Sequence, residues 1–255
     1  MGSSLDSMRT ELNTAVSGAA PGIPAATELC LACVGLLGVD GVAVSMVHEG
    51  ASRGTFGSSN AASRRLDEYQ FTFGEGPCLD AVSTRDAVLA PDLDSSEEHR
   101  WPAFTGAVLD EGIHAVFALP IMVVSLCVGA LDLFRAGPGP LAGEQLAGAL
   151  IAAELASAPL LDIMATAKDA QGLDDDLLSE GEAGWGSLAE LDRIEVYQAT
   201  GMVMAQLQVD ATEALVRLRA HAIATGQTAS QVSWAIVERR LVLERDDDGS
   251  GRRTP

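Results

Sequence analysis

Four cysteines and four histidines are the side chains of this chain best suited to chemistry. Cys30 and Cys33 have the CxxC spacing of a metal or redox pair. No second CxxC follows, and Leu29, Cys33, Leu36 and Leu37 share one apolar helical face. Small thiols on such a face are expected in a core. Cys78 directly follows Gly74-Glu75-Gly76-Pro77. It is expected near a helix N-terminus, where a thiolate would be stabilised. His48, His99, His114 and His221 are scattered and form no HExxH. His114 enters an apolar hairpin, and with Cys78 it is a candidate for lining a ligand pocket. The chain has no Walker loop, GxSxG or GxGxxG. No catalytic residue and no metal ligand is assigned, and the chain is expected not to be an enzyme.

Arginine supplies the remaining chemistry. The cations between Ser187 and Arg245 are Arg193, Arg217, Arg219, Arg239, Arg240 and Arg245, and Lys168 is the sole lysine of the chain. Arginine suits bidentate contact with phosphates and base edges. A formal charge of −20 and a pI near 4.3 oppose that reading if the charge is uniform. It is not uniform: Met1–Gly186 holds 8 basic and 26 acidic residues, whereas Ser187–Arg245 holds 6 and 7. An asymmetry of this kind points to two modules with different surfaces.

The elements that must position these residues follow from periodicity. Residues 1–22 are Ser/Ala/Gly-rich, with no apolar run of a signal peptide, and read as a flexible tail. A helix from Ala25 stops at Gly38, and strands follow at Val42–Val47 and around Gly54–Ser58. Ser59 or Asn60 caps a helix through Tyr69, and a short strand at Val88–Pro91 precedes a helix opening at Trp101-Pro102. Ala115–Leu131 carries no charge, but Pro120, Gly129 and its β-branched content fit two strands turning near Val124–Ser125 better than a membrane helix. A long helix runs from Leu141 to about Met164. Helices and hairpins without regular alternation predict an α+β domain over 23–167, an antiparallel sheet flanked by helices. Residues 168–186 read as an acidic, Gly-rich linker.

Over 187–245 the pattern is wholly helical, and 246–255 reads as a second flexible tail. Gly201 interrupts the first helix, where it would admit a close approach by another helix. Asp210-Ala-Thr-Glu213 and Thr228-Ala-Ser-Gln231 have the form of capping boxes, so three helices with short connections make a small all-α module.

Residues 193–241 resemble the ANTAR domain of transcription antitermination regulators. The resemblance rests on Ala199-x-Gly201, Glu213-Ala214, Leu218-Arg219 and Ala222, with Thr200 where the common pattern has lysine. Residues 25–165 resemble a GAF sensor domain through Gly74-Glu75-Gly76-Pro77-Cys78, Asp80-Ala81, Pro91-Asp92-Leu93, Ala118-Leu119-Pro120-Ile121 and Gly129-Ala130-Leu131. The pair implies a cytoplasmic, homodimeric antitermination regulator that binds hairpins in nascent leader RNA and is gated by its sensor. Arg193, Gln198, Thr200, Gly201, Arg217 and Arg219 are then the expected RNA contacts. The sensor would take a small-molecule or redox signal. No cofactor is specified, and no membrane is expected as a partner. Two other readings stand beside it: a GAF-type methionine sulfoxide reductase-like enzyme built on Cys78, and a protein-interaction regulator that does not bind RNA.

Overall fold

A computed structural model describes residues 2–48, 51–171 and 193–244. They divide into one unit ending at Arg193 and a second beginning at Ile194.

The first unit is built on an antiparallel sheet of β1 (Gly41–His48), β2 (Ala51–Ser58), β3 (Val88–Ala90), β4 (Ala115–Val123) and β5 (Leu126–Arg135), in the order β2-β1-β5-β4-β3. The β4–β5 hairpin turns at Val124, which takes a left-handed φ of 57° with its side chain exposed. Alternation sorts the strands into two faces. Val42, Val44, Met46, Phe117, Leu119, Ile121, Leu131 and Leu133 enter one core. Val116, Ala118 and Phe134 point to the other side, into a second cluster.

The larger core is covered by α1 (Gly2–Gly18), α2 (Ile23–Leu37), α6 (Glu144–Leu155) and α7 (Ser157–Gln171). Cys30 and Cys33 lie within it as free, fully buried thiols, and burial pushes Cys33 up to about 12. The expectation of a flexible tail over 1–22 is therefore corrected. Residues 2–18 form a helix whose Leu12 is fully buried, with Met8 and Val16 packed against the same core. The predicted long helix is broken at Ala156 into α6 and α7. Glu144–Ala165 is long and apolar enough to cross a membrane by length and composition, but its Ala149, Ala152, Ala153, Leu160 and Ile163 sit in this core. The predicted linker begins later than Lys168, because α7 runs to Gln171. Its remainder and the start of the predicted helical module, residues 187–192, lie outside the described residues, as does the predicted tail at 246–255.

The other sheet face is covered by α3 (Ala61–Phe73), α4 (Pro77–Thr84) and α5 (Pro102–Asp110). Asn60 caps α3 by accepting from the Ser63 N–H at 2.9 Å. The central pairing of β1 with β5 needs glycine at position 129, where a Cβ would stand 2.1 Å from the Ser45 carbonyl oxygen.

The second unit contains α8 (Ile194–Leu207), α9 (Ala211–Ala224) and α10 (Ala229–Val237). Asp210 caps α9 by accepting from the Glu213 N–H, and Thr228 with Gln231 forms a full capping box on α10. Val196, Ala199, Val203, Ala214, Leu218, Ala222, Val232 and Ile236 are among its buried residues, as the period of each helix requires. Gly201 is exposed, and a Cβ there would meet nothing within 4 Å. The expected close helix approach is thus absent among the described residues.

Candidate functional site

The Gly74-Glu75-Gly76-Pro77-Cys78 segment joins three helices. Gly74 closes α3 in the left-handed conformation, its N–H donating to the Gln70 carbonyl. Glu75 caps α5, accepting from the N–H groups of Ala103 and Phe104 at 2.7 and 3.0 Å. Gly76 has φ 145° and lies so close to Gln70 that a Cβ would come within 2.5 Å of the amide oxygen. This closeness lets Gln70 Oε1 accept from the Cys78 N–H at 2.7 Å, satisfying a donor that α4 leaves open at its start. Two residues on, Asp80 accepts from Trp101 Nε1 at 2.9 Å. The motif is therefore a clamp that sets α3 and α4 against the sheet.

Beneath the clamp lies a buried polar cluster. Asp132 on β5 points to the same face as Ala130 and Phe134, opposite Leu131 and Leu133. Its carboxyl, 1% exposed, is near the Ser45 hydroxyl, the Cys78 thiol and the Gln70 amide. Among the described residues neither of its oxygens makes a full hydrogen bond, and Ser45 Oγ and Gln70 Nε2 stand beside it without reaching that geometry. Burial, then the charge of Asp67, raises Asp132 to about 7. A group in this state changes protonation near neutrality, and such perturbed carboxyls concentrate at functional sites.

Asp67 continues the cluster toward β2. Ser52 Oγ donates to its Oδ1 at 2.6 Å and Thr55 Oγ1 to its Oδ2 at 3.0 Å. Arg193 completes it: its Nη2 lies 2.7 Å from Asp67 Oδ2 and its Nη1 2.5 Å from Glu68 Oε1. The guanidinium carbon stands 4.1 Å from the Phe71 ring centroid, in cation–π geometry. Asp67, Gln70 and Phe71 share one face of α3 by their i, i+3, i+4 spacing, which turns a largely polar helix inward.

Several expected site residues are placed differently from their reading in sequence. Arg193, expected to contact RNA, is 3% exposed and committed to these ion pairs. Its guanidinium is out of reach of an RNA backbone. Cys78 does lie in the first turn of α4, but it is fully buried. Burial, then the carboxylates of Asp132 and Asp67, pushes its thiol well above the ordinary value, the reverse of an activated thiolate. A reductase built on Cys78 would need the opposite environment. His114 is half-buried just before β4, its N–H donating to Arg135 O at 2.9 Å. It precedes Ala118, the partner of Asp132, by four residues, roughly 13 Å along the strand. The structure does not bring it to Cys78.

In the second unit Gln198 and Gly201 are exposed on α8, and Thr200 is half-buried, its hydroxyl donating to Val196 O at 2.7 Å. Arg217 and Arg219 are half-buried on α9, and Arg217 Nη2 pairs with Glu213 at 2.7 Å. Residues two apart point to different sides of a helix, so these two arginines do not form one patch.

Sequence reasoning missed Asp132, Ser45, Gln70 and Asp67. The one available signal was Asp132 itself, the single charge in the apolar run from Ala115 to Phe134.

Comparison with known proteins places the first unit. The GAF domain family model matches residues 24–160. Similar solved structures include the GAF domain of a phosphoenolpyruvate-protein phosphotransferase from Acinetobacter, at 13% identity and TM-score 0.49, covering 67% of this chain and 98% of that one. The corresponding domain from Coxiella burnetii is 18% identical with TM-score 0.49, covering 66% and 97%. Free methionine-R-sulfoxide reductase from Neisseria meningitidis, solved with its substrate, is 13% identical with TM-score 0.45, covering 66% and 89%. No curated protein matches this chain. The match over residues 24–160, more than half of the sequence, shows that the chain belongs to the GAF domain family.

Proposed function

We propose that this protein is a signal-responsive transcription antitermination regulator. Its GAF domain is a sensor, and the buried cluster around Asp132 and Asp67 is where a small-molecule signal is read. A redox signal at Cys78 is disfavoured by the burial and raised pKa of that thiol. The helical unit is the effector and binds hairpins in nascent leader RNA, as its ANTAR resemblance implies. The observation that carries this reading is the agreement of motif and packing. Ala199, Ala214, Leu218 and Ala222 form the core of a capped three-helix unit, while Gln198 and Gly201 remain exposed. Arg217 is kept as an RNA contact, since its pair with Glu213 is a surface i,i+4 pair that an RNA phosphate can replace. Arg219 and Thr200 are kept as further contacts, and Arg193 is not.

Homodimerisation is part of the proposal. Ile23 and Leu31 on α2, Leu150 on α6 and Leu161 on α7 are 45–53% exposed although these helices also cover the core. That surface suits a second copy of the chain. A protein-interaction role for the helical unit is favoured by its exposed Tyr197, Val216, Ile223 and Trp234. Fluorescence anisotropy with a labelled two-hairpin RNA separates the two readings. Binding that weakens tenfold or more in the Gln198→Ala, Arg217→Ala double variant supports RNA recognition. An absence of binding even at low salt, where phosphate contacts are strongest, refutes it.

A further inference from the structure

The seat that holds Arg193 has the chemistry of a ligand site. Two carboxylates grip the guanidinium from one side of α3, and Phe71 offers a ring face. Ser52 and Thr55 hold the Asp67 carboxylate from β2 independently of any cation, so the seat is preorganised. Next to it, the Asp132 carboxyl, Ser45 Oγ and Gln70 Nε2 are buried beside one another, and among the described residues none of them reaches full hydrogen-bond geometry. Arg193 pairs with Asp67 and Glu68, not with these three groups. Buried polar groups of this kind ordinarily find partners, and three together mark a place where a polar ligand completes the network. At the edge of the seat, Glu68 also lines a solvent-open groove of about 520 Å³ together with Ser58, Asn60, Arg64 and Arg65.

We infer that the Asp67–Glu68–Phe71 seat binds a small guanidinium-bearing molecule, and that this ligand competes with Arg193 for it. The guanidinium of the ligand replaces that of Arg193 on the two carboxylates and the ring. A second donor on the ligand reaches the Asp132 oxygens. Arg193 is then a tethered stand-in for the signal, and binding releases it. The inference rests on the sensing role of the GAF domain but not on RNA binding by the helical unit.

Trypsin reports the state of Arg193 directly, because cleavage after an arginine requires its side chain to enter the protease pocket. In the full-length protein without ligand, the Arg193–Ile194 bond should be cut at least tenfold more slowly than the Arg240–Leu241 bond. The Arg240 side chain is 64% exposed, against 3% for Arg193. Saturating agmatine should accelerate cleavage at Arg193 tenfold or more relative to Arg240, a ratio that cancels any inhibition of trypsin itself. Putrescine, with ammonium groups and no guanidinium, should not. In calorimetry, Arg193→Ala should bind agmatine at least tenfold more tightly than the wild type, and adding Asp67→Asn should abolish the gain. Rapid cleavage at Arg193 without ligand would show that it is not seated. Protection that agmatine leaves unchanged would make the seat purely structural. Either result overturns the proposal, and neither bears on RNA binding, which the anisotropy assay tests separately.

Discussion

Replacing Asp132 with asparagine tests the buried cluster through its proton. Asparagine has the shape of a protonated carboxyl and cannot ionise. The wild-type carboxyl titrates at about 7 in the folded chain, against an ordinary value of 3.8. Because the folded value is the higher one, the folded protein binds this proton more tightly than the unfolded chain does. The resulting stability is complete below pH 3.8, declines as pH rises, and is lost above about 7. The full interval corresponds to about 4 kcal/mol, of which about 2–3 kcal/mol falls between pH 5 and pH 8. Urea unfolding of both proteins at pH 5, 6, 7 and 8 measures the difference. The gap between Asp132→Asn and the wild type should move by about 2–3 kcal/mol in favour of asparagine over that range. A gap constant to within about 0.5 kcal/mol would show that Asp132 ionises normally, and the account of the cluster would fail.

The remaining predictions concern packing. Of the four thiols, Cys30, Cys33 and Cys78 are fully buried and Cys127 is half-buried. An aromatic disulfide reagent should titrate one thiol in the native protein and none in Cys127→Ser, with all becoming reactive in denaturant. Gly129→Ala should destabilise by about 3 kcal/mol or more, since the new Cβ meets the Ser45 carbonyl and backbone must yield. Gly106→Ala on α5 meets nothing within 4 Å and should stabilise by about 0.5–1 kcal/mol, both read by thermal unfolding.

Local signals made much of this architecture legible. Asn60, Asp210 and Thr228 cap the helices that follow them, and the charge-free run from Ala115 folds as the β4–β5 hairpin. What the sequence hid depends on partners distant along the chain. Helix α1 has few apolar side chains and is fixed by Leu12 entering a core made from β-strands and α6. Arg193 finds Asp67 across 126 residues, so its position beside the helical module looked like an RNA contact. The candidate cluster combines Ser45, Asp67, Gln70, Cys78 and Asp132 from four elements, and only Asp67 and Gln70, on one face of α3, have a spacing that links them in sequence. The GEGPC motif was visible as a family mark, whereas its clamping role follows only from Glu75 and Gln70 contacts.

The lodging of α1 against α6 also bears on how the chain is made. Ser4 bonds to Glu144 and Arg9 pairs with Glu154, contacts separated by 140 and 145 residues. A ribosome adding about 5–20 residues per second needs on the order of ten seconds to supply α6 after α1 has emerged. During that interval β1 also waits for β5, its central neighbour, while Leu12 and the apolar side of α2 have no finished core to enter. A nascent chain in that condition is a natural client for chaperones that shield apolar surface. Rare codons or pauses placed before residue 144 would lengthen its exposure, so the yield of soluble protein should respond to the speed of translation through the first half of the gene.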